Sequence, residues 1–157
     1  MTSKDEFTQG KPVDKDAEED HSAMRGRSFI KKEAIRNVVR DGKSGYLIRV
    51  SLTSYRSLPL SCIENIELSM DGKKVKPKDM RFILNGYSHK LDEMGGLTNI
   101  WWFILDDADL FVASPQPLPA GEYLVEGTLV TVEPYVTAGR FSFFNTSKKY
   151  LSVAADL

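Results

Sequence analysis

The chain has 157 residues, enough for one domain with a core that needs no covalent staples. Its formal charge of −1 offers no basic footprint for nucleic acid and no charged patch for a membrane surface. Cys62 is the single cysteine, which excludes an intrachain disulfide, and the first residues lack the apolar run of a signal peptide, so a cytoplasmic protein is expected.

Residues 1–27 are rich in charge and poor in apolar side chains. Such a segment buries too little surface to offset its ordering entropy, and it reads as a flexible N-terminal extension. Apolar content rises from Phe29. Residues 29–40 suit an amphipathic helix or an edge strand, with strand favoured for 34–40. Residues 41–45 (DGKSG) form a turn. In residues 46–54, Tyr46, Ile48, Val50 and Leu52 fall on one side, and Arg49, Ser51 and Thr53 on the other. That period of two marks a half-buried strand.

Residues 55–59 (YRSLP) are a connection. Residues 63–70 follow as a strand with Ile66, Leu68 and Met70 in phase, and Asp71–Gly72 is a two-residue hairpin signal. Residues 73–75 return before Pro77 ends pairing. Residues 80–84 are the next strand and Asn85–Gly86 the next turn. One helical turn is expected at 90–94, closed by Gly95–Gly96.

Residues 100–112 (IWWFILDDADLFV) are the most apolar stretch, far short of the roughly 20 residues that cross a membrane. The acidic break at Asp106–Asp107 divides it into two expected strands, 100–105 and 110–112, around which the others wrap. Three prolines make 113–121 a surface crossing. Residues 122–132 are the longest strand candidate, 140–144 the last, and the remainder a tail. The fold expected is therefore mainly β: an antiparallel sandwich of about 7–8 strands with little helix, its domain at 28–145 and a C-terminal tail at 146–157.

Chemistry-bearing residues are sparse. His21 and His89 lie in the extension and in a loop, neither with a second ligand at zinc spacing. Asp106, Asp107 and Asp109 lack the glycine and terminal glutamate of a calcium loop and read as acidic residues at a strand-to-strand turn. Cys62 has no histidine near it in sequence and reads as a buried inert thiol. No catalytic residue and no metal ligand is assigned. The two rings of Trp101–Trp102 should point to opposite faces of a strand, one into the core and one outward. Aromatics and arginine are enriched in protein interfaces, which makes Tyr55, Arg56, Trp101, Trp102, Tyr135 and Arg140 candidates for an interface or a substrate-proximal position.

The order of four segments carries a resemblance: IRNVV at 35–39, YRSLPLSCIENIELSMDGKKV at 55–75, WWFILDDADLFV at 101–112 and PLPAGEYLVEGTLV at 117–130. Together they resemble the small (beta) subunit of bacterial C-glycoside deglycosidases over about residues 34–144, with no counterpart for the chain before Phe29. The resemblance implies a heteromeric enzyme acting on C-glucosides already oxidised at the sugar C3. There the ketone acidifies the C2 proton, a base removes it, and the carbon–carbon bond to the aglycone breaks. In that family the chemistry is assigned to a larger alpha subunit, similar to sugar isomerase barrels and carrying a divalent metal such as manganese. The beta subunit is a non-catalytic, sandwich-like support that holds no cofactor. Two other readings stay open from the residues: a carbohydrate- or ligand-binding sandwich that stacks a sugar on Trp101 or Trp102, and a stand-alone hydrolase using Asp106, Asp107 or Asp109.

Overall fold

Local backbone chemistry sets three hairpins. Asp41–Gly42, Asp71–Gly72 and Asn85–Gly86 each place two successive residues at positive φ (50° and 78°, 49° and 85°, 51° and 86°). This is the conformation of the two-residue turn whose twist matches paired strands. The computed structural model describes residues 19–21, 28–54, 56–132 and 142–154. Its strands in chain order are β1 (Glu19–His21), β2 (Arg36–Arg40), β3 (Lys43–Ser51), β4 (Leu58–Pro59), β5 (Ile63–Met70) and β6 (Lys73–Lys74), then β7 (Met80–Leu84), β8 (Tyr87–Lys90), β9 (Trp101–Trp102), β10 (Asp107–Ala113), β11 (Gly121–Val132) and β12 (Ser142–Val153). The first sheet has the order β1-β12-β11-β5-β6, the second β2-β3-β10-β7-β8, and β4 with β9 forms a two-stranded ribbon. Neighbouring strands pair antiparallel.

The expected antiparallel sandwich is thus the observed fold. One continuous apolar core lies between the two sheets, with Ile48 and Val50 of β3, Phe82 of β7 and Leu110 of β10 from one side. Ile66 and Leu68 of β5, Val125 and Leu129 of β11 and Leu151 of β12 complete it from the other. Trp102 is fully buried in an edge-type contact with Phe82, with ring centroids 4.9 Å apart at 62°. The segment before β2 joins the sheets. Phe29 and Ile30 are fully buried, Ile30 bridges Val50 of β3, and its amide donates to Ser147 Oγ of β12 at 3.2 Å. Gly127 makes room for them: a β-carbon there would lie 2.6 Å from Ile30 Cδ1.

Several elements differ from expectation. The supposed tail is structural: β12 runs to Val153 and pairs with β11 along all twelve residues from Gly121 to Val132. Its inward face begins with Asn145 and Ser147, both buried, so the apolar alternation that announces a strand is missing there. Part of the supposed flexible extension, Glu19–His21, pairs with β12. The central run is cut differently: only Trp101–Trp102 pairs within 100–105, and β10 begins at Asp107, ahead of the expected 110–112. The 3-10 turn sits at Leu91–Gly96, and His89 lies in β8 rather than in a loop. Cys62 ends a 3-10 turn, half-buried, just before β5. Strands of two or three residues (β1, β4, β6, β9) raise the number above the expected 7–8, since so short a stretch shows no periodicity. Ile63 is buried although it lies three residues from buried Ile66. The register shifts there, Asn65 pairing with Val130 but Ile63 with Thr131, and the extra residue of this bulge turns both side chains inward.

The outer face of the second sheet carries a smaller apolar cluster of Leu47, Ile83 and Phe111. The Phe111 ring covers Gly45, where a methyl group would collide with that ring and with the Val112 carbonyl. Gly45→Ala is expected to cost about 1–3 kcal/mol of unfolding free energy, read by urea denaturation. Burial raises the Tyr46 phenol from 10.0 to about 12. Below pH 10 both states hold the proton; between 10 and 12 the unfolded chain releases it first, so stability falls as pH rises through that window. The loss should total on the order of 2–3 kcal/mol in an alkaline denaturation series, and Tyr46→Phe should abolish it.

Candidate functional site

β10 carries two aspartates inside an apolar strand because both point outward to cations. Asp109 accepts from Arg49 Nε at 2.8 Å and from Arg36 Nη2 at 3.1 Å. Asp107 accepts from Lys31 Nζ at 2.9 Å, and Arg49 Nη1 stands 3.9 Å away. Burial works against the Arg49 charge, but the hydrogen bond and charge of Asp109, helped by Glu33 and Asp107, raise its pKa overall. These carboxylates are strand residues, not the turn residues expected, and each already faces a cation. They do not fit a divalent metal, and among the described residues no group of three or more metal-ligating side chains occurs.

The chain immediately before β10 is unusual in another way. Asp106 N donates to Phe103 O at 2.9 Å, closing a turn. Trp102 Nε1 donates to Asp106 O at 2.7 Å, and Ile104 N donates to Ser57 Oγ at 2.8 Å. The turn is therefore pinned to the core indole on one side and to the β3–β4 connection on the other. Its outward side chains are apolar: Trp101 is 44% exposed, Phe103 56% and Leu105 83%. Three of the six exposed large hydrophobic residues among those described lie in this five-residue stretch, which makes it the principal apolar patch. Beside it is an open hollow of about 630 Å³, lined by Ser28, Lys31, Lys32, Ser51, Ile104, Leu105, Asp107 and Lys149.

The expected candidates divide as follows. Trp102 belongs to the core and cannot meet a partner, whereas Trp101 is partly exposed. Arg56 is exposed on the connection that Ser57 ties to the turn, so Arg56 and Trp101 belong to neighbouring segments. Tyr55, Tyr135 and Arg140 lie outside the described residues. Phe103 and Leu105 were not anticipated, because alternation with Trp102 and Ile104 mimics a strand. The signal available was Asp106–Asp107, which ends the run too early for both to be core. No helix among the described residues is long and apolar enough to cross a membrane.

Comparison with known proteins gives a consistent picture. A family model described as C-glycoside deglycosidase beta subunit matches residues 26–135. The chain is 35% identical over 113 residues to a 3'-dehydrocarminate deglycosidase beta subunit of a Microbacterium species, covering 71% of this chain and 85% of that one. It is 31% identical over 99 residues to a C-glycoside deglycosidase beta subunit of Arthrobacter globiformis, covering 63% and 74%. A C-glycoside deglycosidase beta subunit of Microbacterium trichothecenolyticum is 40% identical over a shorter span of 63 residues.

The outward ion pairs hold the start of β10 to β3 and β2. Asp109→Ala is expected to lower unfolding free energy by roughly 1 kcal/mol in low-salt urea denaturation, with a smaller loss at high salt. An equal loss at both salt concentrations would mean that packing, not charge, is what Asp109 supplies.

Proposed function

The chain belongs to the C-glycoside deglycosidase beta subunit family, and we propose that it is the non-catalytic subunit of a two-component enzyme that releases aglycones from 3-oxo-C-glucosides. The observation that carries this reading is the family match, which spans β2 to β11 and so most of both sheets. The side-chain inventory supports it. Asp107 and Asp109, the carboxylates that open β10, are engaged by Lys31 and Arg49, as a structural rather than a catalytic role would have them.

The reaction proposed for the complex is an elimination. A base takes the proton from sugar C2, which the neighbouring C3 ketone has acidified. The C1–aglycone bond then breaks, a C1=C2 double bond forms, and the electron pair leaves with the aglycone, whose ring carbon takes a proton. A divalent cation such as manganese, in an alpha subunit resembling the sugar isomerase barrels, would supply Lewis-acid polarisation of the ketone. This chain would support and shape that site from a neighbouring surface, in the cytoplasm.

The test compares this chain alone, an alpha subunit alone and the two co-expressed, on a 3-oxo-C-glucoside. Aglycone release is expected only from the pair. Release by this chain alone would overturn the non-catalytic assignment. A Trp101 fluorescence shift on titrating glycoside into the isolated chain would favour a free-standing sugar-binding module instead.

A further inference from the structure

We propose that the outer face of the second sheet holds a binding site for a small phosphate-bearing anion, built from Lys43, Lys78, Arg81 and Lys90. This goes beyond the subunit reading and does not depend on it.

Strand register brings the central two cations together. Arg81 of β7 lies directly opposite Phe111 of β10 on one side and Lys90 of β8 on the other. Directly opposed residues of an antiparallel pair share a face, and Phe111 belongs to the outer apolar cluster, so both cations stand on the outer face. Like charges placed directly opposite each other destabilise a strand pair. Lys43 and Lys78 join them around one hollow of about 580 Å³, in the size range of small-molecule sites, with Asp92 the single carboxylate of its lining.

These charges are not answered within the fold. Among the described residues none of the four cations is ion-paired. Glu93 accepts from the Lys90 amide at 2.7 Å, and Asp79 lines a neighbouring hollow with Lys43 without pairing to it. The far end of the same row shows the contrast. Its register runs Arg36, Leu47, Phe111, Arg81, Lys90 across the sheet, and Arg36 meets Asp109 at 3.1 Å. One end of the face supplies its cations with carboxylates; the other sets four cations against one carboxylate around a hollow.

That excess sets the ligand class. A lone carboxylate brings one negative charge, whereas a phosphate monoester brings about two, on three strong acceptor oxygens. Half-buried Arg81 carries a planar fork that suits two phosphate oxygens, and the exposed lysines add point charges around it.

The probe is sodium pyrophosphate, titrated calorimetrically into the full chain at low salt. Saturable binding is expected, weakening as salt is raised. Arg81→Gln and Lys90→Gln should each weaken it by about tenfold. Arg36→Gln, which removes the same charge from the same face, should leave it unchanged. Pyrophosphate should raise the Tm of wild type and of Arg36→Gln, but not that of Arg81→Gln. Lys90→Gln, at an exposed position, keeps the test decisive where Arg81→Gln does not fold. No saturable binding, or weakening as large in Arg36→Gln as in Arg81→Gln and Lys90→Gln, would overturn the site. An alpha subunit that binds through Arg81 and Lys90, with pyrophosphate not bound, would assign these cations to an acidic protein surface and overturn the small-ligand site.

Discussion

The sandwich depends on residues 28–35, which bond to both sheets before the chain enters β2. Phe29 O accepts from Ser51 N at 2.9 Å and Lys31 N donates to Arg49 O at 3.0 Å, adding this segment to the edge of β3. Four residues later Ile35 N donates to Ser152 O at 2.8 Å, so the same segment reaches β12 in the opposite sheet. Between those ties, Phe29 and Ile30 fill the space over Gly127 and are fully buried. Two sheets packed face to face are otherwise held by non-directional apolar contact, which leaves their relative position only loosely specified. Here hydrogen bonds to each sheet fix it. Gly127, which weakens a strand in isolation, is where the core admits this clasp.

The fold was largely legible because its strongest signals are local. The alternation of Tyr46, Ile48 and Val50, the phase of Ile66 and Leu68, and the Asp71–Gly72 and Asn85–Gly86 turns each read correctly without tertiary knowledge, whereas the turn expected over 41–45 is confined to Asp41–Gly42 because Lys43, Ser44 and Gly45 already pair in β3. What escaped was set by contacts distant in sequence. β12 hides its inward face behind Asn145 and Ser147, and Ser147 is buried because it receives the amide of Ile30, 117 residues away. A polar residue satisfied by a remote partner looks, in sequence, like a surface residue. The bulge at Ile63 likewise depends on the register of β11, which no window around Ile63 contains.

The apolar run at 100–112 shows the same limit for the candidate site. Hydrophobicity said that the run was core and the aspartates said that it was interrupted. Both statements hold, but for different residues. Asp107 and Asp109 belong to the strand, since Lys31, Arg36 and Arg49 meet them on the outer face. Phe103 and Leu105 belong to the turn. Composition alone cannot tell an apolar side chain that faces the core from one that faces a partner, because burial free energy is the same in either place. The distinction lies in the turn that Asp106 N closes on Phe103 O and that Trp102 Nε1 ties to the core through Asp106 O, which leaves Phe103 and Leu105 exposed.

This gives Trp102 a double role. As the largest fully buried side chain it anchors the β4–β9 ribbon to Phe82 and hence to the second sheet. As a donor it sets the shape of the turn beyond. An indole buried in a sandwich core still needs an acceptor for its N–H, and here the acceptor is the backbone of the turn that presents the apolar patch. The turn that carries Phe103 and Leu105 is therefore tied directly to the core beneath it. Core packing at Trp102 and the geometry of Phe103 and Leu105 are one structural unit, and selection on either would be felt by both.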